Sequence, residues 1–218
     1  MKLNKYIDHT LLKQGASLKD LEQLCIEAKL YNFAAVCVVP NQVANAVKLL
    51  TGTSVKVCTV IGFPFGYSTK ETKAFEIQDA IKNGAQEIDI VQNISYVKEG
   101  KYSKLMDEMK FLFESFDSRV ITKIILESGS LSLNELYGCC AIYSKFPKIN
   151  FLKTSTGFAA EGASVNAVKI MKQNSPFEVK ASGGIRDLKF AEELIAAGAT
   201  RIGCSSSVKI MEESLIKI

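Results

Sequence analysis

The chain has 218 residues, 47% of them hydrophobic, and its 27 basic and 23 acidic side chains leave a formal net charge of +4. A chain of this length can bury one large core or two small ones. The charge is spread along the sequence without a lysine-rich or arginine-rich block, which argues against nucleic-acid binding, although a positive surplus helps to attract an anionic small substrate.

Targeting, redox and metal signals are weak throughout the sequence. No stretch approaches the roughly 20 apolar residues of a membrane-spanning helix, and the N-terminus lacks the apolar run of a secretory signal, so we expect a cytoplasmic protein with no membrane partner. The six cysteines include no Cys-x-x-Cys pair, which favours reduced thiols. With one histidine and no His-x-x-x-His spacing, we expect no metal and no cofactor, and a structural hydrogen-bonding role for His9.

Eight short apolar runs recur along the chain and alternate with segments of helical spacing. The strand candidates are Tyr6–Leu12, Ala34–Val39, Val55–Ile61, Glu87–Gln92, Val120–Leu126, Asn150–Thr154, Phe177–Ala181 and Thr200–Gly203. The helix candidates include Ser17–Leu30, Thr69–Asn83, Tyr102–Phe116, Ser164–Gln173 and Leu188–Ala197. Strands that alternate with helices imply a parallel sheet covered by helices.

Local signals mark the ends of several helices. Ser17 followed by Asp20 predicts an N-cap with an acid in the first turn. Gly84 and Gly198 each follow a helix candidate and suit a left-handed C-terminal cap. Both glycines begin the same Gly-Ala-x-x-Ile pattern that leads into the next strand, as expected for a repetitive βα fold.

Eight strands favour a closed (β/α)8 TIM barrel, with residues 1–218 as a single domain, over an open doubly wound sheet. The candidate Tyr6–Leu12 is the weakest strand because it contains Asp8, His9 and Thr10. Without it the count falls to seven, and an open sheet stays possible.

Polar side chains gather at the strand positions where barrels place their active residues, towards the carboxyl-terminal ends. They are Asp8, Thr10, Asp89, Lys123, Glu127, Lys153, Thr156 and Lys180. A buried lysine beside a second cation can be partly neutral, and a neutral amine attacks carbonyl groups. A single such lysine is more often a structural residue that points outward. Three on consecutive strands favour a shared interior site, with Asp89 as a buried acid that pairs with a lysine and transfers protons.

The loops after the seventh and eighth strands carry Gly183-Gly184 and Gly203-Cys204-Ser205-Ser206. Glycines let backbone N–H groups approach an anion, and a following helix N-terminus adds a favourable dipole. We therefore predict a phosphate cradle here, with two tight turns as the alternative.

These segments together resemble the 2-deoxyribose-5-phosphate aldolase family of Schiff-base-forming, class I aldolases. The resemblance runs through Tyr6–Leu12, Val36–Pro40, Thr59–Gly66, Glu87–Ile94, Lys123–Glu127, Lys153–Phe158, Val179–Arg186 and Gly203–Ser206. The ordered pair Lys-Thr-Ser-Thr-Gly-Phe and Lys-Ala-Ser-Gly-Gly-Ile-Arg is its most specific part. Departures such as Val39 and Cys204 do not fall on the proposed catalytic residues.

The resemblance implies a role for each matching position. Lys153 corresponds to the lysine that forms the Schiff base, Lys180 to a second lysine that lowers the pKa of the first and exchanges protons, and Asp89 to the acid/base aspartate. The supporting positions are Lys123, Thr10, Cys37 and Thr156, and the phosphate-binding positions are Gly157, Gly183, Gly184, Ser205 and Ser206.

The implied reaction is the reversible cleavage of 2-deoxy-D-ribose 5-phosphate to D-glyceraldehyde 3-phosphate and acetaldehyde, without a metal, in a homo-oligomer (dimer or tetramer). Two other hypotheses use the same barrel. One is a phosphosugar isomerase or epimerase without a covalent intermediate, which the single histidine disfavours for the metal-dependent type. The other is a non-catalytic phosphosugar sensor, which the intact lysines and Asp89 disfavour.

Overall fold

Eight parallel strands of the described residues pair in chain order, and the first pairs with the last to close a barrel. The computed structural model describes residues 2–116 and 119–216; the remaining positions of the predicted domain 1–218 lie outside the described residues. The strands are β1 Ile7–Leu11, β2 Ala35–Val38, β3 Lys56–Ile61, β4 Glu87–Val91, β5 Ile121–Ile125, β6 Phe151–Lys153, β7 Glu178–Ser182 and β8 Ala199–Cys204. All eight strand candidates and the predicted barrel are confirmed.

Helices follow the strands and cover the outside of the barrel. They are α1 Leu18–Tyr31, α2 Val43–Leu49, α3 Lys70–Lys82, α4 Ile94–Lys98, α5 Tyr102–Glu114, α6 Leu133–Tyr143, α7 Val165–Asn174, α8 Leu188–Ala196 and α9 Ser207–Ile216. The five predicted helices are confirmed within about two residues at each end, the usual uncertainty of helix boundaries. The sequence patterns did not single out α2, α4, α6 and α9.

The predicted helix ends have the expected geometry. Ser17 accepts a hydrogen bond from the Asp20 backbone while the Asp20 carboxylate accepts one from the Ser17 backbone, a reciprocal capping box. Gly84 and Gly198 have φ values of 96° and 115°. An L-residue rarely adopts such values, so glycine is the residue that lets these helices turn into the next strand.

The weakest predicted strand is the one that closes the barrel. In β1, Ile7 aligns with Ile202 of β8 and Thr10 aligns with Cys37 of β2. The open-sheet alternative is therefore wrong. Polar residues within β1 do not prevent strand formation, because Asp8 lies in a polar barrel interior.

The interior and exterior of the barrel have different chemistry. On β4, Ile88 and Ile90 belong to the apolar layer between the strands and the helices, whereas Glu87 and Asp89 make ion pairs inside the barrel. Side chains alternate across a strand, so residues two positions apart lie on the same face of the sheet. A smaller apolar cluster of Cys37, Cys58 and Val60 completes part of the interior.

Within residues 2–116 and 119–216, none of the helices combines the length and the apolar character needed to cross a lipid bilayer.

Candidate active site

Three lysines from successive strands converge on one carboxylate. Lys123 of β5 donates to Asp89 Oδ1 at 2.9 Å, and Lys153 of β6 and Lys180 of β7 each donate to Asp89 Oδ2 at 2.8 Å. All four side chains are at most 3% exposed. The predicted meeting of three strand lysines with Asp89 therefore occurs, on a single carboxylate.

Burial and ion pairing act in opposite directions on these groups. Burial favours the neutral form of Asp89, but the three ammonium groups outweigh it and hold the pKa of Asp89 well below its usual range. Burial alone would lower the pKa of Lys123 and Lys180, but carboxylates next to them raise the pKa of both lysines. Asp89 is thus an anion and Lys180 a cation at neutral pH.

A second layer of charges lies beside the first. Lys180 Nζ is 2.6 Å from Asp8 Oδ2, and Arg201 of β8 reaches Asp8 Oδ1 at 2.5 Å. Lys123 Nζ is 2.5 Å from Glu87 Oε2. Burial opposes ionisation of Asp8, yet Lys180 and Arg201 lower its pKa to about 2. These contacts anchor two of the three lysines from their far side.

A cavity of about 380 Å³ opens at the carboxyl-terminal ends of the strands. Its lining includes the predicted residues Thr10, Lys153, Thr156, Gly157, Gly183, Gly184, Ser205 and Ser206. Lys153 is thus the lysine of the Asp89 cluster that reaches the cavity wall. The predicted residues Asp89, Lys180, Lys123 and Cys37 are fully buried outside this lining.

The predicted phosphate loops form one wall of the cavity. Gly157, Gly183 and Gly184 have φ values of 87°, 93° and 78°. A Cβ on Gly183 would lie 3.0 Å from Gly162 Cα, so the loops after β6 and β7 approach each other closely. The loop after β8 leads from Ser205 and Ser206, which line the cavity, directly into α9, and a helix N-terminus is an environment that favours a bound anion.

Thr156 is held by a buried acid that the sequence had flagged without a role. The Thr156 backbone N–H donates to Glu127 at 3.2 Å, and the Thr156 hydroxyl also donates to that carboxylate. Burial raises the pKa of Glu127. Glu127 has a left-handed φ of 52°, which is uncommon for a residue with a side chain and is found at functional sites.

The remaining predicted residues have simpler surroundings. Thr10 donates to the Asp8 carbonyl at 2.9 Å. His9 faces away from the cavity and pairs with Glu27 of α1 at 2.7 Å, in line with a structural role.

Cys37, Cys58 and Asp89 have ligand atoms within 4.8 Å of one another, the one such group found in the part of the chain that is described. Cys58 donates to Asp89 Oδ1 at 3.2 Å, and a hydrogen bond from Cys58 lowers the pKa of Cys37 despite its burial. Three ammonium groups already occupy the Asp89 carboxylate, so a metal cation would meet strong repulsion here.

Sequence reasoning missed Glu87, Arg201 and Cys58 as members of the site and gave Asp8 no partner. One signal was available, because Glu87 and Asp89 are two residues apart on one strand and must share a face. Arg201 is likewise a charge inside an apolar strand. Their partners come from distant strands, which a local pattern does not specify.

The fold and the site together define a class: a (β/α)8-barrel enzyme with a lysine beside a carboxylate at the carboxyl-terminal mouth, suited to carbonyl chemistry. Comparison with known proteins gives the family. Residues 2–211 match the model of the DeoC/LacD family aldolases, and the chain belongs to that family. It is therefore an aldolase, a lyase.

Individual relatives match over nearly their whole length. A deoxyribose-phosphate aldolase of Streptococcus equi subsp. zooepidemicus is 49% identical over 97% of this chain and 96% of its own. Among solved structures, the aldolase QR15 has a TM-score of 0.92 at 39% identity, covering 98% of this chain and 96% of its own. The tetrameric deoxyribose phosphate aldolase of Aeropyrum pernix has a TM-score of 0.88 at 31% identity, covering 99% and 92%.

Proposed function

We propose that this chain catalyses the reversible retro-aldol cleavage of 2-deoxy-D-ribose 5-phosphate to D-glyceraldehyde 3-phosphate and acetaldehyde, through a Schiff base on Lys153. The observation that carries the proposal is the position of Lys153. Its amine contacts Asp89 at 2.8 Å, and the residue lines the same cavity as the loops that suit a phosphate. The deoxyribose-phosphate aldolases among its relatives support the choice of substrate.

The chemistry begins with carbinolamine formation. The neutral Lys153 amine adds to the C1 aldehyde of the open-chain sugar, and loss of water gives a protonated imine. Asp89 Oδ2 contacts both Lys153 and Lys180, so one carboxylate oxygen can relay a proton between the two amines. Because Lys180 shares this counter-ion, the two ammonium groups repel each other, and loss of the Lys153 proton relieves that repulsion.

Carbon–carbon bond cleavage follows. The C3 hydroxyl gives its proton, through water, to the Asp89–Lys180 pair while the C2–C3 electron pair moves into the iminium, which leaves an enamine on Lys153 and releases D-glyceraldehyde 3-phosphate. Protonation of the enamine carbon and hydrolysis of the imine then release acetaldehyde and restore the amine. The Gly183–Gly184 and Ser205–Ser206 loops bind the remote phosphate, and that binding energy orients the reacting carbon.

The deciding experiment is a reductive trap. Borohydride added to the enzyme with acetaldehyde should leave an ethyl group on the Lys153 peptide and none on the peptides of Lys123 and Lys180. Lys153→Leu should lower the cleavage rate on the order of 10⁴-fold or more. The matched control is Lys169→Leu, an exposed lysine on α7, which should retain full activity. Full activity in Lys153→Leu, or turnover without a trapped imine, would rule the mechanism out.

The chain is further proposed to form a homo-oligomer, a dimer or a tetramer, in the cytoplasm. The tetramer of the Aeropyrum pernix enzyme supports this assembly. So do large apolar side chains on the surface, such as Ile26 and Leu30 of α1, which are 57% and 75% exposed, since exposed apolar area often marks a protein interface.

A further inference from the structure

Six charged side chains among the described residues form a closed ring inside the barrel, five of them buried and the sixth, Arg201, 12% exposed. Each contacts the next with alternating sign, in the order Glu87, Lys123, Asp89, Lys180, Asp8, Arg201 and back to Glu87. The closing contact, from Arg201 to Glu87 Oε2, is 3.4 Å, and the other five lie between 2.5 and 2.9 Å. We call these six residues the charge ring.

The charge ring is balanced, and Lys153 is not part of it. Three carboxylates face three cations, so the ring carries no net charge when all six groups are ionised. Lys153 joins from outside through Asp89 Oδ2, the oxygen that Lys180 already uses. It is therefore a fourth cation on three carboxylates. In a buried site the proton in excess of charge balance is the easiest to lose.

Two members of the ring, Glu87 and Arg201, make no ion pair with Lys153. Glu87 is the first residue of β4, and Arg201 is the third residue of β8. Neither lines the cavity. Residues towards the amino-terminal end of a barrel ordinarily serve stability alone. Here, however, Arg201 is three contacts from Asp89, through Asp8 and Lys180, and Glu87 is two contacts from Asp89, through Lys123.

We propose that Arg201 and Glu87 are positioning residues that set the proton affinity of Lys153 by keeping the charge ring neutral, so that Lys153 is the cation left without its own carboxylate. The inference rests on the proposed function, because it concerns the amine that forms the Schiff base. This charge balance accounts for the different roles of the three buried lysines. Lys123 and Lys180 each contact two carboxylates of the ring, whereas Lys153 contacts Asp89, which it shares with the other two lysines.

Other titratable groups face the same residues. Arg201 lies beside Asp8, Glu87 and the Phe151 ring. The Cys58 thiol also favours the charged form of Arg201. The positive charge of Lys153 favours the ionised forms of Glu127 and the Cys37 thiol as well as that of Asp89. Glu127 is occupied by hydrogen bonds from Thr156. The variants below leave Glu127 and both thiols unchanged, so their contribution cancels in the comparison.

The test uses the pH dependence of imine formation, followed by reductive trapping with acetaldehyde and mass spectrometry of the Lys153 peptide. Arg201→Met removes a cation and leaves the ring negative, which stabilises the protonated Lys153 amine. The acidic limb of the profile should therefore move to higher pH, on the order of one unit. Glu87→Gln removes a carboxylate with little change of shape and should move the limb to lower pH.

The opposite signs separate an electrostatic role from a merely structural one. A loss of packing lowers the amount of folded enzyme or the maximal rate. It does not move the acidic limbs of the Arg201→Met and Glu87→Gln profiles in opposite directions. Arg201→Lys keeps the charge and should return the limb towards its original position. The matched control is Lys172→Met, which removes a cation of an exposed pair with Glu178 on the outside of the barrel and should leave the profile unchanged.

The inference is wrong if the acidic limbs of the Arg201→Met and Glu87→Gln profiles stay in place or move in the same direction. If Arg201→Met does not fold, Glu87→Gln alone decides, because its limb must still move to lower pH. The wild-type enzyme distinguishes this outcome from failure of the proposed function. Trapping on Lys153 in the wild type with unmoved limbs refutes only the role of the charge ring, whereas no trapping in the wild type refutes the function itself.

Discussion

At the scale of single residues, the site depends on one carboxylate. Asp89 accepts hydrogen bonds from three buried ammonium groups, and among the described residues it is the carboxylate on which Lys153 depends for its ion pair. Isolated buried charges are strongly unfavourable, and removal of one partner from a buried pair typically costs about 3–5 kcal/mol. Asp89 is therefore both the proposed proton carrier and a counter-ion of all three buried lysines. Function and stability cannot be separated at this position.

Asp8 gives the protein a predictable acid sensitivity. Burial opposes its ionisation, but Lys180 and Arg201 lower its pKa from 3.8 to about 2 in the folded state. A lowered folded-state pKa contributes stability that is fully present above the unfolded value and is lost as the pH falls towards the folded value. The free energy of unfolding should thus decrease by about 2 kcal/mol between pH 4 and pH 2 through this group.

Urea unfolding across this pH range measures that slope. Asp8→Asn should flatten it, although the variant starts from lower stability. Asp107→Asn, a change at an exposed acid on α5, should leave the slope as it is. Equal slopes in the wild type and in Asp8→Asn would show that Asp8 is not the group responsible.

The absence of a side chain at Gly203 leaves space for the Lys180 side chain. A Cβ at Gly203 would lie 2.9 Å from Lys180 Cε and 3.1 Å from Ser182 Cβ. The near atom belongs to the end of a flexible chain, so Gly203→Ala should fold with little loss of thermal stability while Lys180 moves aside. Misplacement of a catalytic group by about 1 Å can cost about 100-fold in rate. We expect kcat to fall with KM nearly constant, and an unchanged kcat would exclude this contact as important.

At the scale of elements, strands and loops supply different parts of the proposed chemistry. Strands β5, β6 and β7 each supply one lysine, and the loops after β6, β7 and β8 supply the glycines and serines of the proposed phosphate cradle. Strand geometry holds the amines rigidly, whereas turns with positive φ expose the backbone N–H groups. In the proposed mechanism, the reacting end and the phosphate end of the substrate are thus bound by different kinds of local structure.

Gly183→Ala tests the phosphate end. Its φ of 93° and the 3.0 Å approach to Gly162 Cα leave no unstrained place for a methyl group. We expect KM for 2-deoxyribose 5-phosphate to rise about tenfold, a change of roughly 1.4 kcal/mol, while cleavage of unphosphorylated 2-deoxyribose stays constant. Gly52→Ala is the control, because Gly52 has a similar φ of 79° but open space around it. An equal effect on both substrates would argue against a phosphate role.

At the scale of the whole molecule, barrel closure decides whether a site exists at all. The β1–β8 pairing brings Asp8 to Lys180 and Arg201, so it completes both the barrel and the charge ring. The interior of this barrel holds ionised groups where many barrels have stacked Val, Ile and Leu side chains. Its apolar core lies instead between the strands and the surrounding helices.

The proposed assembly also belongs to this scale. Light scattering coupled to size exclusion should give a native mass two or four times that of one chain at micromolar concentration. In this proposal, exposed apolar side chains on α1 would provide the driving force, since association would remove them from water. A mass equal to one chain over this concentration range would show that the chain acts alone.

The order of elements was readable from the sequence because it depends on local information. Apolar periodicity distinguishes strands from helices, and Ser17, Gly84 and Gly198 mark helix ends through interactions with nearby residues. Helices such as α6, whose apolar residues Cys139 and Cys140 are adjacent, lack a clean period and were not singled out. The candidate lysines were also visible, since a charge inside an apolar strand is unusual at any position.

The partners of those lysines were decided only by the tertiary structure. Asp8 and Arg201 are 193 positions apart, and Lys180 and Asp89 are 91 apart. Such contacts depend on strand register and on closure of the barrel, which no local pattern specifies. Local sequence patterns thus predicted a βα barrel with amines in its strands and glycine-rich turns at one end, and left closure of the sheet to the structure. The fold alone determined that three of those amines share Asp89, and that Arg201 and Glu87 complete the balance of charge around them.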